Sequence, residues 1–79
     1  MKRIITYDLA YADSKDYEDL YFVLNKLNGK KITESTYVIN TPLGQKEISD
    51  MIREVIYKDD KVFFISVNSN GELFYTRIE

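Results

Sequence analysis

Apolar and polar positions alternate with a period of two in Ile4-Ile5-Thr6-Tyr7-Asp8-Leu9, so residues 2–9 read as a strand. Ile5, Tyr7 and Leu9 fall on one face, and Ile4, Thr6 and Asp8 on the other. After a loop over 10–14 the period lengthens. Tyr17, Leu20, Tyr21, Leu24 and Leu27 recur at helical spacing and predict a helix over 15–27. Ser14 is its expected N-cap, and Asp16, Glu18 and Asp19 suit the positive end of its dipole. Asn28-Gly29 stops it, with Gly29 suited to a left-handed terminal residue. The extended pattern over 30–40 is long for one strand, and Glu34-Ser35 divides it into strands over 30–34 and 35–40. The loop Thr41-Pro42-Leu43-Gly44 opens a second helix over 45–57, whose stripe is Ile48, Met51, Ile52, Val55 and Ile56. Lys58-Asp59-Asp60 is a polar break, 61–67 a strand, Asn68-Ser69-Asn70-Gly71 a hairpin turn and 72–78 the last strand.

This order predicts an α+β fold: a ferredoxin-like β-α-β-β-α-β unit with an extra C-terminal strand, its antiparallel sheet carrying two helices on one face. Two helices cover one sheet face only. Yet Phe63, Ile65 and Val67 alternate with Val62 and Phe64, and Leu73 and Tyr75 with Phe74 and Ile78, so both faces are apolar. A homodimer meeting through the open sheet face and the C-terminal strand is the expected way to cover the second one.

At 79 residues the chain is expected to form one domain, 1–79, with a core small enough to gain from self-association. No run is long enough to cross a bilayer and no signal-peptide pattern is present, so a cytoplasmic protein is expected. With neither cysteine nor histidine, disulfides, thiolate chemistry and the usual neutral-pH base are excluded. The net charge of −2 argues against strong non-specific nucleic-acid binding, which depends on neutralising phosphates.

Chemistry concentrates at the end of the first strand. Asp8 reads either as a ligand for Mg²⁺ or Mn²⁺, and so a candidate catalytic residue, or as a carboxylate that caps the loop by accepting backbone N–H bonds. Tyr7 and Tyr11 flank it as candidate base-stacking or partner contacts, with core packing the alternative for Tyr7. Ser35 and Thr36 are candidate phosphate contacts or the residues of a turn. Lys2, Arg3, Lys30 and Lys31 form a modest positive patch or protect strand edges. Asp13, Asp16, Glu18 and Asp19 form an acidic cluster at the first helix start, suited to a basic partner or to helix-dipole compensation.

Tyr7-Asp8-Leu9, the run Asp16-Tyr17-Glu18-Asp19-Leu20-Tyr21, the segment from Glu34 to Thr41 and the late Asp59-Asp60 give the chain a resemblance that spans nearly its whole length. It resembles small ferredoxin-like proteins related to the CRISPR-associated Cas two family and to VapD-type ribonucleases. The resemblance implies a symmetric homodimer. It also implies that Asp8 matches the aspartate which, in nuclease-active members, lies near the dimer axis and helps bind a divalent metal. Ser35-Thr36-Tyr37 matches a stretch near the same cleft. The implied function is a metal-dependent endonuclease, an endoribonuclease among them, or an RNA- or DNA-binding protein. The first helix carries no arginine and the chain is acidic, which favours the other class: a non-catalytic interaction module, such as a phage-encoded inhibitor of host defence or an antitoxin-like regulator that binds a host protein.

Overall fold

The computed structural model describes residues 2–79. Seven elements follow in the order β1 (Lys2–Asp8), α1 (Glu18–Lys26), β2 (Lys30–Thr33), β3 (Thr36–Asn40), α2 (Gln45–Arg53), β4 (Lys61–Val67) and β5 (Leu73–Ile78). The strands form one antiparallel sheet in the order β2-β3-β1-β4-β5. The small α+β architecture with two helices is therefore as expected. Among the described residues no helix is long and apolar enough to cross a membrane.

One core lies between the helices and one sheet face. Ile5 and Tyr7 of β1, Tyr37 and Ile39 of β3, and Val62 and Phe64 of β4 pack there against Leu20 and Leu24 of α1 and Ile48 and Ile52 of α2. Of the stripes read from the sequence, Leu20, Leu24, Ile48 and Ile52 are fully buried, while Tyr21, Met51, Val55 and Ile56 pack half-buried against the core; burial of an amphipathic face is what stabilises helices as short as these.

Both helices are shorter than their apolar periodicity suggests. α1 begins at Glu18, three residues after the expected start, because residues 11–15 close on themselves: the backbone N–H groups of Ser14 and Lys15 both donate to the Tyr11 carbonyl. Ser14 is thus not the N-cap. Tyr17 holds that position without a side-chain cap bond, and Glu18 and Asp19 complement the dipole. α2 stops at Arg53 rather than at 57, since the Tyr57 N–H is taken by the Asp60 carboxylate. On the exposed side of α2, Lys46 and Arg53 pair with Asp50 at 3.1 and 2.6 Å, and these bonds hold the Asp50 carboxyl below the usual range.

The left-handed residue after α1 is Asn28, φ 58°, rather than Gly29. Gly29 serves close approach instead: a Cβ there would lie 2.3 Å from the Leu24 carbonyl oxygen and 3.1 Å from the Tyr37 ring. The hairpin turn forms as expected, with Gly71 at φ 80° donating to the Asn68 carbonyl. The Asn68 side chain accepts from the Asn70 and Glu72 N–H groups, both at 2.9 Å.

Candidate functional site

Asp8 is the last residue of β1, opposite Lys61 in the antiparallel register with β4. It is exposed, and among the described residues its carboxylate makes no side-chain hydrogen bond or ion pair. The loop-capping role belongs to another carboxylate. Asp60, 2% exposed, accepts at 2.8 Å from the Ala10 N–H, the Tyr57 N–H and the Tyr17 hydroxyl. It therefore ties the β1–α1 loop, the turn after α2 and the entry to β4 together at one end of the sheet. A buried carboxylate requires such a full set of donors. Burial, and then the bond to Asp60, push the Tyr17 hydroxyl up to about 12. The sequence signal for Asp60 was present but slight: a carboxylate directly before an uninterrupted apolar strand.

Asp8 borders a shallow cleft of about 330 Å³ shared with Tyr7, Tyr21, Lys31, Glu34 and Ser35. The cleft brings Tyr7, Asp8 and Ser35 together. The Tyr7 ring is 6% exposed, lies beside Tyr21 and Tyr37 and donates its hydroxyl to the Glu34 carbonyl at 3.0 Å. Burial and the neighbouring tyrosines raise its pKa. Ser35 is in the turn between β2 and β3, and its carbonyl accepts from the Tyr7 N–H. Thr36 stands across from Thr6, their hydroxyls 3.4 Å apart. Tyr11 is not in the cleft. Its ring meets Tyr57 edge-on, and its hydroxyl donates to Asp59 at 2.5 Å, which raises its pKa. Among the described residues, no three Asp, Glu, His or Cys side chains gather where they could hold a metal ion.

The sheet face opposite the helices continues from Asp8. Cross-strand pairs put Thr6 beside Phe63, Ile4 between Val38 and Ile65, Ile65 beside Tyr75 and Val67 beside Leu73. Tyr75 is 73% exposed and Leu73 63%. Thr6, Phe63, Ile65, Leu73 and Tyr75 enclose an apolar hollow of about 280 Å³. No described element covers this face, so the second apolar face expected from the strand pattern is present and open.

Compared with protein-family models, curated proteins and solved structures, the chain has no match.

Proposed function

We propose that the chain is a self-associating module of the ferredoxin-like kind, in which two copies pack their open sheet faces together. The single observation that carries this reading is the continuous apolar surface across β3, β1, β4 and β5, far more than scattered surface side chains would give. Its rim favours a second copy over an unlike partner. Asp8 lies at the same end of the face as Lys61 and Arg77, so the edge carries both signs and can meet itself without like-charge repulsion. The strand order β2-β3-β1-β4 supports the ferredoxin-like assignment, with β5 as an added edge strand. Sedimentation across a dilution series tests the reading. A dimer for the native chain and a folded monomer for Phe63→Asp are expected; a native monomer at tens of micromolar overturns it.

A second reading, divalent-metal nuclease chemistry in such a dimer, is favoured by one observation: the Asp8 carboxylate is exposed and unengaged at the rim of that face. Within one chain the donor set is too small for a closed site. Two Asp8 side chains from paired copies fit Mg²⁺, which keeps most of its waters and needs few protein ligands. A bound ion there would polarise a phosphoryl oxygen or activate a water. This is also what the resemblance to the Cas two and VapD-type proteins implies. Labelled RNA and DNA incubated with the protein and Mg²⁺ or Mn²⁺ decide it: cleavage lost in Asp8→Ala supports the reading, and cleavage unchanged in that variant, or none at all, removes it.

A further inference from the structure

Beside the C-terminal end of α2, a hollow of about 430 Å³ is walled by Arg53, Ile56, Tyr57, Lys58, Arg77 and Ile78. Three elements bring the cations there: Arg53 from the last turn of α2, Lys58 from the turn that follows, and Arg77 from β5. Both guanidinium groups are already turned towards oxygen. Arg53 Nε donates to the Glu79 carbonyl and its Nη1 to Asp50. Arg77 Nε lies 4.0 Å from the Glu79 carboxylate, and its Nη2 donates to the Asp60 carbonyl at 3.4 Å. The Glu79 side chain is thus an intramolecular anion beside Arg77, and a main-chain oxygen of the same residue engages Arg53. Lys58 is exposed and forms no ion pair among the described residues. The Asp60 carboxylate also borders the hollow, but Ala10, Tyr17 and Tyr57 occupy its oxygens, so it presents little free acceptor capacity.

The other half of the wall is apolar and aromatic. Tyr57 is 40% exposed, and the Lys15 ammonium over its ring, at 4.8 Å, is not part of the wall. The hollow falls in the size range of small-molecule sites, which combine apolar walls with a few convergent polar groups. Planar guanidinium forks match tetrahedral oxyanions, and an aromatic ring accepts any base by stacking.

We infer that this hollow binds a small phosphorylated aromatic ligand of nucleoside-monophosphate chemistry, its phosphate among Arg53, Lys58 and Arg77 and its base against Tyr57. The Glu79 carboxylate competes for the Arg77 guanidinium and weakens binding in the free chain.

The test is titration of the full chain at low salt with AMP, GMP and inorganic phosphate, followed by calorimetry and by amide NMR shifts. Nucleotides are expected to bind about tenfold more tightly than phosphate, the equivalent of stacking on one ring. Shifts should centre on Tyr57, Lys58 and Ile78. Glu79→Gln should tighten binding severalfold, and Lys58→Gln, an exposed change that leaves the fold intact, should weaken it severalfold. Failure of both the native chain and Glu79→Gln to bind nucleotide overturns the inference. So does binding indifferent to Lys58→Gln, or inorganic phosphate binding as tightly as AMP and GMP.

Discussion

Replacing Asp60 by alanine should remove a large part of the stability of this fold. The side chain accepts three hydrogen bonds at 2.8 Å in a site 2% exposed, two from backbone N–H groups and one from the Tyr17 hydroxyl. Each buried donor left without a partner costs about 1–3 kcal/mol. Water entering the space recovers some of that, so a loss of about 3–5 kcal/mol is expected for Asp60→Ala, towards the lower end of the sum over three donors. A domain of this length has only about 4–12 kcal/mol in all. Asp60→Asn keeps one oxygen for Ala10 and Tyr17 but sets an amide NH₂ against the Tyr57 N–H, a donor facing a donor. It should cost about 1–3 kcal/mol. Asp59→Ala loses only the exposed bond from Tyr11 and should stay within about 1 kcal/mol. Urea unfolding at fixed protein concentration reads these as shifts in midpoint at constant slope. Equal losses for Asp59→Ala and Asp60→Ala, or a loss under about 1 kcal/mol for Asp60→Ala, would show that the three bonds to Asp60 do not hold the fold together.

Three further outcomes follow from particular contacts. Tyr17 is pushed up to about 12 by burial and its bond to Asp60, and Tyr7 and Tyr37 are raised chiefly by burial, so the folded chain keeps protons that the unfolded chain releases near pH 10. The tyrosine contribution to stability should be constant below about pH 10 and fall as pH rises towards about 12; absorbance at 295 nm should show late-titrating tyrosines that join the rest once urea is added. Gly29→Ala forces a methyl to within 2.3 Å of the Leu24 carbonyl oxygen and should destabilise by about 1–3 kcal/mol, measured by thermal melting. Asp8→Ala should change stability by no more than about 0.5 kcal/mol, since the carboxylate bonds to no side chain among the described residues; a larger loss in a urea titration would mean that Asp8 is structural.

The helical and strand periods carried most of the fold. Leu20, Leu24, Ile48 and Ile52 lie on the buried faces their spacing required, and β4 spans the same residues as its apolar run. Element ends were harder to read, because they depend on long-range partners. The spacing of Tyr17 to Leu27 and of Ile48 to Ile56 is helical throughout, but residues 11–15 close on the Tyr11 carbonyl and Asp60 captures the Tyr57 N–H. The same separation explains the two carboxylates. Asp8 and Asp60 are 52 positions apart, and nothing local distinguishes an exposed strand-end aspartate from one that receives three donors. Lys58-Asp59-Asp60 reads as a solvated break until the β1–α1 loop is folded over it. The two-faced apolar character of β4 and β5, by contrast, is a local property of alternation, and it was readable from Phe63, Ile65, Leu73 and Tyr75.

Because the chain contains no cysteine, one introduced cysteine gives a unique label, and this permits a direct test of face-to-face pairing. A spin label at Lys61→Cys, on the exposed rim beside Asp8, reports pairs of copies by dipolar coupling. One well-defined intermolecular distance is expected, abolished when Phe63→Asp is added to the labelled chain. A concentration-dependent background with no defined distance, or a distance that persists in the Phe63→Asp variant, would contradict face-to-face pairing.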